Sequence, residues 1–429
     1  MKKRELTASQ EQCLRNQVIS PDQPGTVLHD FHTLLDYVGP EGVEAQGKYN
    51  LLPIKLIGEL DRRLSRPLHL ELELKRPQIR SHPYLQGLNL LLRASGLTCI
   101  EGTGTKARLV VDPEMMVQWE QLNPTEQYFN LLEAWLRFGR SEMVGEKSGI
   151  WNELLPKCLQ AWQVLPEEGR RFDLKKPQEI YVSGVGREFF LLALMDLFGL
   201  VEVERPTRPI TPWGPAAVRH VPFGDAIFTL MTTRLDSIWG EVISELEHDD
   251  QEDEDEELED QEEGALEQPK FGAWQPIFQP YFPSWQKNLT LPEREPREGT
   301  FVFRVSLGKV WRLIAMPADH TLDDLVAVIL RSVKFDNDHL HEFSYRNRLG
   351  ASVSVHHPAM DEPPYTDEVS IGTLPVEPGQ TMELTYDFGD NWRFTVKLER
   401  IETPDAKLKA PRILESHGKA PEQYQSWDD

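Results

Sequence analysis

Residues 300–333 read TFVFRVSLGKVWRLIAMPADHTLDDLVAVILRSV, and this stretch decides how the C-terminal part of the chain folds. In TFVFRVSL (300–307), Phe301, Phe303, Val305 and Leu307 alternate with Val302, Arg304 and Ser306, the period-2 pattern of a strand with one buried face. Gly308-Lys309 then turns the chain into VWRLIAM (310–316), a hairpin partner. Thr321 followed three residues on by Asp324 reads as an acidic capping box. Behind it, Leu322, Leu325, Val326, Ile329, Leu330 and Val333 form one apolar helical stripe.

Working outward, further strands are expected at LHEFSYR (340–346), TMELTY (381–386) and WRFTVKLE (392–399). The order is ββαβ, a long excursion (347–379), then ββ. It predicts a mixed or antiparallel β-sheet with one packed helix, a β-grasp-like α+β domain. The excursion holds DEPPYTDE and His356-His357-Pro358 and is expected to be the domain's most mobile surface.

Four signatures in this region occur together: Trp311-Arg312 in the opening hairpin, the Thr321 to Leu325 helix start, HLHEF (339–343) and YDFGDNW (386–392). Over roughly residues 299–427 the chain thereby resembles the plasmid pRiA4b ORF-3-like family. The tail PRILESHGKAP (411–421) is similar to that family's Gly- and Pro-rich ending but lacks its acidic Gly-Gly continuation. The resemblance implies the fold, and an association with mobile elements or helical extensions. It implies no settled activity.

The net charge of −24 over 429 residues is concentrated in one place. Residues 245–267 alone carry 15 carboxylates and no Lys or Arg. Such a segment cannot bury enough apolar area to offset its ordering entropy, so residues 241–268 are expected to be an acidic disordered linker. After it, KFGAWQPIFQPYFPSWQ (270–286) interleaves aromatics with Pro, and residues 269–298 are expected to form an ordered strap. The remaining division is a tail (1–24), a helical region (25–240) and the C-terminal domain (299–429).

In the helical region, apolar spacing recurs at Leu28/Phe31/Leu34/Leu35/Val38, at Leu52/Ile54/Leu56/Ile57/Leu60 and at Leu85/Leu88/Leu91/Leu92. Gly96-Leu97 and Gly199-Leu200 each end a helix and precede β-branched runs suited to a hairpin. A helix closed by Gly-Leu and followed by a two-stranded wing is winged-helix-like, and two or three such units are expected. The fold class is therefore multidomain α+β, with a mostly helical, winged-helix-like N-terminal region.

For function, Cys13, Cys99 and Cys158 are far apart and make no CxxC pair, so no zinc or disulfide framework is legible. The start, MKKRELTASQEQ, lacks an apolar stretch, and no apolar run of membrane-spanning length occurs. A cytoplasmic protein with no membrane partner and no cofactor is expected. DFGD at 387–390 lacks the glycine-rich loop and other kinase signatures.

Two candidate sites stand out. His339, His341, Asp387, Asp390 and Trp392 form a functional or structural cluster in the C-terminal domain. Within it His339, His341, Asp387 and Asp390 are the metal-ligand candidates, against a structural turn in which Asp387 and Asp390 accept backbone amides and Gly389 takes a positive φ. Arg62, Arg63, Arg66, Lys75, Arg76 and Arg80 form the best basic cluster for nucleic acid, against a solvated helix face. The acidic linker is a possible intramolecular partner for that cluster. The leading expectation is a non-enzymatic interaction or regulatory protein binding protein or DNA through its N-terminal region. Its alternative is a metal-dependent or otherwise unrecognised enzyme using the C-terminal His and Asp residues.

Overall fold

The structure is a computed structural model and describes residues 5–67, 78–146, 153–173, 188–207, 214–234, 270–293 and 295–424. These residues form two compact units, one built from 5–234 with 270–291 and the other from 292–424. The acidic segment lies outside the described residues.

The first unit is mostly helical, and a helix, a short strand, a buried helix and a hairpin recur in two passes, with a further helix before the buried one described in the first pass alone. After α1 (Ala8–Asn16), the first pass is α2 (Val27–Val38), β1 (Val43–Glu44), α3 (Ile54–Arg63), α4 (Pro83–Ala94), β2 (Thr98–Glu101), β3 (Arg108–Val111) and α5 (Pro113–Glu120). Next come α6 (Pro124–Glu133) and a π-helical turn, Ala134–Phe138. The second pass is α7 (Leu154–Gln163), β4 (Arg170–Arg171), α8 (Phe189–Leu197), β5 (Val201–Glu204), β6 (Ala217–His220) and α9 (Pro222–Arg234). Each pass closes a small antiparallel sheet with the same strand order, β1-β3-β2 and β4-β6-β5.

The helices α4 and α8 stop in the same way. Gly96 and Gly199 adopt φ values of 72° and 68°, and Leu97 and Leu200 behind them are fully buried. The two helices also pack against each other, and every residue of both is buried. Gly87 permits the approach: a Cβ there would lie 2.7 Å from Leu194 Cγ.

Residues 271–290 lie along α6. Asn123 caps that helix in a reciprocal box with Glu126, and Pro124 occupies its first turn. Glu126, Asn130 and Glu133 then recur at helical spacing, and their oxygens accept main-chain N–H bonds from the strap. Glu126 takes those of Gln286 and Lys287, Asn130 that of Leu289, and Glu133 those of Gly272 and Trp274. Phe129, between the acceptors, stacks on Trp285 with ring centroids 4.5 Å apart and touches Phe278 and Phe282. Trp285 is fully buried, so its removal to Ala would cost about 3–5 kcal/mol.

The second unit is a seven-stranded sheet crossed by one helix. Its strands are β7 (Thr300–Leu307), β8 (Val310–Pro317), β9 (His341–Arg346), β10 (Ser352–His356), β11 (Thr381–Tyr386), β12 (Trp392–Glu402) and β13 (Arg412–His417). The helix is α10 (Leu322–Val333), and the Thr321/Asp324 box caps it as the spacing predicts. Phe301, Phe303, Val305, Phe343, Met382, Leu384, Phe394 and Val396 turn one sheet face toward the stripe Leu325, Val326, Ile329 and Leu330.

The strand order is β10-β9-β11-β12-β7-β8-β13, and each of these pairings is antiparallel rather than mixed. The reason is topological: α10 carries the chain away from β8, and β9 enters the sheet beside β11, where it runs antiparallel to its neighbours.

The excursion 347–379 is not the loose surface expected of it. It supplies β10, and Val355, Thr366, Val369, Ile371, Leu374 and Val376 are buried. Its carbonyls satisfy the free first-turn donors of α10: Leu322 donates to Val369 at 2.9 Å and Asp323 to Thr366 at 3.0 Å.

The α4–α8 contact is directly testable. Gly87→Val forces side-chain volume into Leu194 and is expected to destabilise the first unit by about 1–3 kcal/mol, read as a lower urea midpoint with unchanged helical circular dichroism.

Candidate functional site

The turn between β11 and β12 is held by Asp387. Its Oδ1 accepts the Gly389 N–H at 3.0 Å and the Asp390 N–H at 3.3 Å. Asp387 and Asn391 take the left-handed conformation, with φ of 55° and 54°, and Gly389 does not. This corrects the expectation for Gly389. Short polar side chains that bond local amides tolerate this region, so the turn places them at its two ends. Trp392 lies edge-on to Phe335 at 4.9 Å and packs against the core. Phe388, at the tip, is exposed.

Two of the four expected ligand candidates meet. His339 Nε2 is 3.6 Å from Asp387 Oδ2 and from Asp338 Oδ1, and 3.2 Å from the Tyr424 hydroxyl. His341 instead enters the core at 1% exposure. Its Nε2 is 2.9 Å from Thr366 Oγ1 and 3.6 Å from Asp323 Oδ1, and its ring lies 4.6 Å from that of His357. Asp390 is exposed and gives its main-chain N–H to the turn. The sharing of a face expected from His339 and His341 fails because β9 begins at His341; alternation does not extend to a residue before the strand.

Among the described residues, no group of three His, Cys, Asp or Glu side chains is arranged to hold a metal ion. What the fold does bring together, and sequence spacing did not reveal, is His341, His357, Asp323 and Thr366. The adjacent His356 and His357 diverge: His357 faces His341, while His356 Nδ1 lies 2.7 Å from the Glu362 carbonyl. His341 and the His356-His357 pair were visible as separate signals, and their meeting depends on pairing between β9 and β10.

Three members of the basic cluster have partners within the fold while staying exposed to solvent. Arg63 pairs with Glu59 at 2.6 Å and covers the Tyr37 ring, and Arg66 reaches Asp196 at 3.4 Å. Arg80 bonds Gln78, Arg62 is exposed in the last turn of α3, and Lys75 and Arg76 lie outside the described residues.

Burial, with a smaller contribution from His357, pushes the His341 pKa down to about 3, and its Nδ1 is buried without a partner among the described residues. An unfolded histidine titrates near 6.5, so the proton binds the unfolded chain more tightly. The stability contributed by neutral His341 is complete above about pH 6.5 and is lost as pH falls from there toward 3. Between pH 7 and 5 this amounts to about 2 kcal/mol. His341→Gln is expected to lose that much less stability over the same interval in urea titrations at the two pH values; equal losses would contradict the assignment.

Among the described residues no helix is long and apolar enough to cross a membrane. No curated protein matches the chain. Among solved structures, a protein of unknown function from Methanosarcina mazei Go1 is similar at 25% identity, over 29% of this chain and 72% of that one, with a TM-score of 0.27. Residues 301–424, which span the seven-stranded sheet and its helix, match the family described as plasmid pRiA4b ORF-3-like protein.

Proposed function

We propose that the chain is a non-enzymatic interaction protein whose N-terminal unit is a pair of winged-helix-like modules that bind protein rather than DNA. The order helix, strand, helix, helix, hairpin with strand order β1-β3-β2 is that of a winged helix, and α7, β4, α8 and the β5-β6 hairpin repeat it among the described residues without its second helix. In this reading α4 and α8 occupy the place of the helix that would enter a DNA groove.

One observation carries the choice of partner: both helices are buried along their whole length, against each other and against the elements around them. Freeing either would expose six or seven large apolar side chains, each worth about 1.5–3 kcal/mol, a sum as large as the total stability of a domain. In the C-terminal domain, His339 lies beside Asp387 while His341 lies beside Thr366, so the four residues named for a metal site do not converge on one point.

Fluorescence-anisotropy titration of the full chain with duplex DNA is expected to show no saturable binding at low salt, and Arg62→Ala/Arg63→Ala/Arg66→Ala no change. Photocrosslinking from position 62 in cells is expected to give adducts sensitive to protease and insensitive to nuclease. Steeply salt-dependent DNA binding that the triple variant loses would overturn the reading.

A further inference from the structure

The two edges of the seven-stranded sheet are treated differently. On the β10 side, the chain folds back over the edge. His356 forms a parallel bridge with Tyr365, its N–H donates to the Pro364 carbonyl at 2.8 Å, and Thr366 donates to the His356 carbonyl at 2.8 Å. At the other edge, β13 pairs with β8 alone among the described residues, and all six of its residues are exposed. Ile413 and Leu414 are 39% and 37% exposed, two adjacent aliphatics on a strand whose outer side has no strand partner among the described residues.

Edge strands of this kind are normally shielded by charge, proline or a bulge. β13 does contain a bulge, at Leu414, but its effect here is to change the phase of the strand. Arg412 lies opposite Ala315 and Glu415 opposite Leu313. Ala315 and Leu313 are two apart on β8, so Arg412 and Glu415 share a sheet face and present the same main-chain phase to the open side. Without the bulge, two residues three apart would be out of phase.

That phase decides which partner fits. When a strand pairs antiparallel with its own copy about a two-fold axis, opposed residues must be in the same phase. An axis between Ile413 and Leu414 sets Arg412 opposite Glu415, and Ile413 opposite Leu414. The sequence Arg-Ile-Leu-Glu (412–415) is therefore complementary to its own reverse, basic to acidic and apolar to apolar.

We propose that two copies of this chain associate through β13, antiparallel about a two-fold axis between Ile413 and Leu414, so that their sheets become continuous and Arg412 of each faces Glu415 of the other. The occupant is a second copy, because the strand's order of charge and apolar residues is matched, in phase, by its own reverse.

The test is the association constant of the full chain by sedimentation velocity across a wide concentration range. Arg412→Glu opposes like charges at two symmetry-related positions and is expected to weaken association about tenfold, and Arg412→Glu/Glu415→Arg to restore it to within about threefold. Leu414→Lys is expected to abolish it. Amide exchange over 412–416 is expected to slow as the dimer fills. A chain that stays monomeric throughout, or a dimer that Arg412→Glu leaves unchanged, overturns the proposal. Circular dichroism of each variant separates loss of association from loss of fold.

Discussion

At the meeting of α4 and α8, two helices from equivalent places in the two passes of the first unit are pressed together, with one glycine setting their separation. Once they are in contact, two of the polar groups they carry find partners inside, whereas the buried Asn89 amide finds none among the described residues. Arg93 donates to the Tyr49 and Met143 carbonyls at 2.8 Å. Asp196, the equivalent residue three before the helix-ending glycine, accepts from the Tyr84 hydroxyl at 2.9 Å and the Val203 N–H at 3.1 Å. Burial raises the Asp196 carboxyl above its ordinary range, while the Val203 amide and Arg66 pull it down. Arg66 is thus a counter-ion to the core as much as a surface cation.

The second unit shows what a sequence discloses about a sheet. β11 and β12 were legible because each buries one face, as Met382/Leu384/Tyr386 record with period 2; β7 shows Phe301/Phe303/Val305 although Val302 is buried on its other face, and β8 follows from the Gly308-Lys309 turn. β13 left no such record, since neither of its faces is buried. β10 lies in a Pro- and Gly-rich stretch whose order comes from the N-terminus of α10, a contact between segments far apart in sequence. In the first unit, the glycine stops of α4 and α8 could be read, but their mutual burial had only an indirect sign. FFLLALMDL (189–197) is apolar on nearly every side, the mark of a helix with no solvent face.

The candidate site was half legible for a related reason. Asp387 and His339 were brought together because a turn and the residues before a strand meet at one sheet end. His341 was misplaced because one residue of register decides which way a side chain points. Its real neighbours, Thr366 and His357, come from the excursion, and no local pattern in the sequence joins them to β9.

The strap along α6 makes the first unit discontinuous in sequence. Phe129 emerges during synthesis about 150 residues before Trp285, the ring that covers it. At about 5–20 residues per second, that leaves the α6 face without its cover for roughly 10–30 s. Throughout that interval the acceptors Glu126, Asn130 and Glu133 face water or a chaperone in place of the strap's amides. The birth of this unit is thus timed by a segment lying beyond the acidic stretch, and a ribosome halted within that stretch would release a unit with its aromatic groove still open.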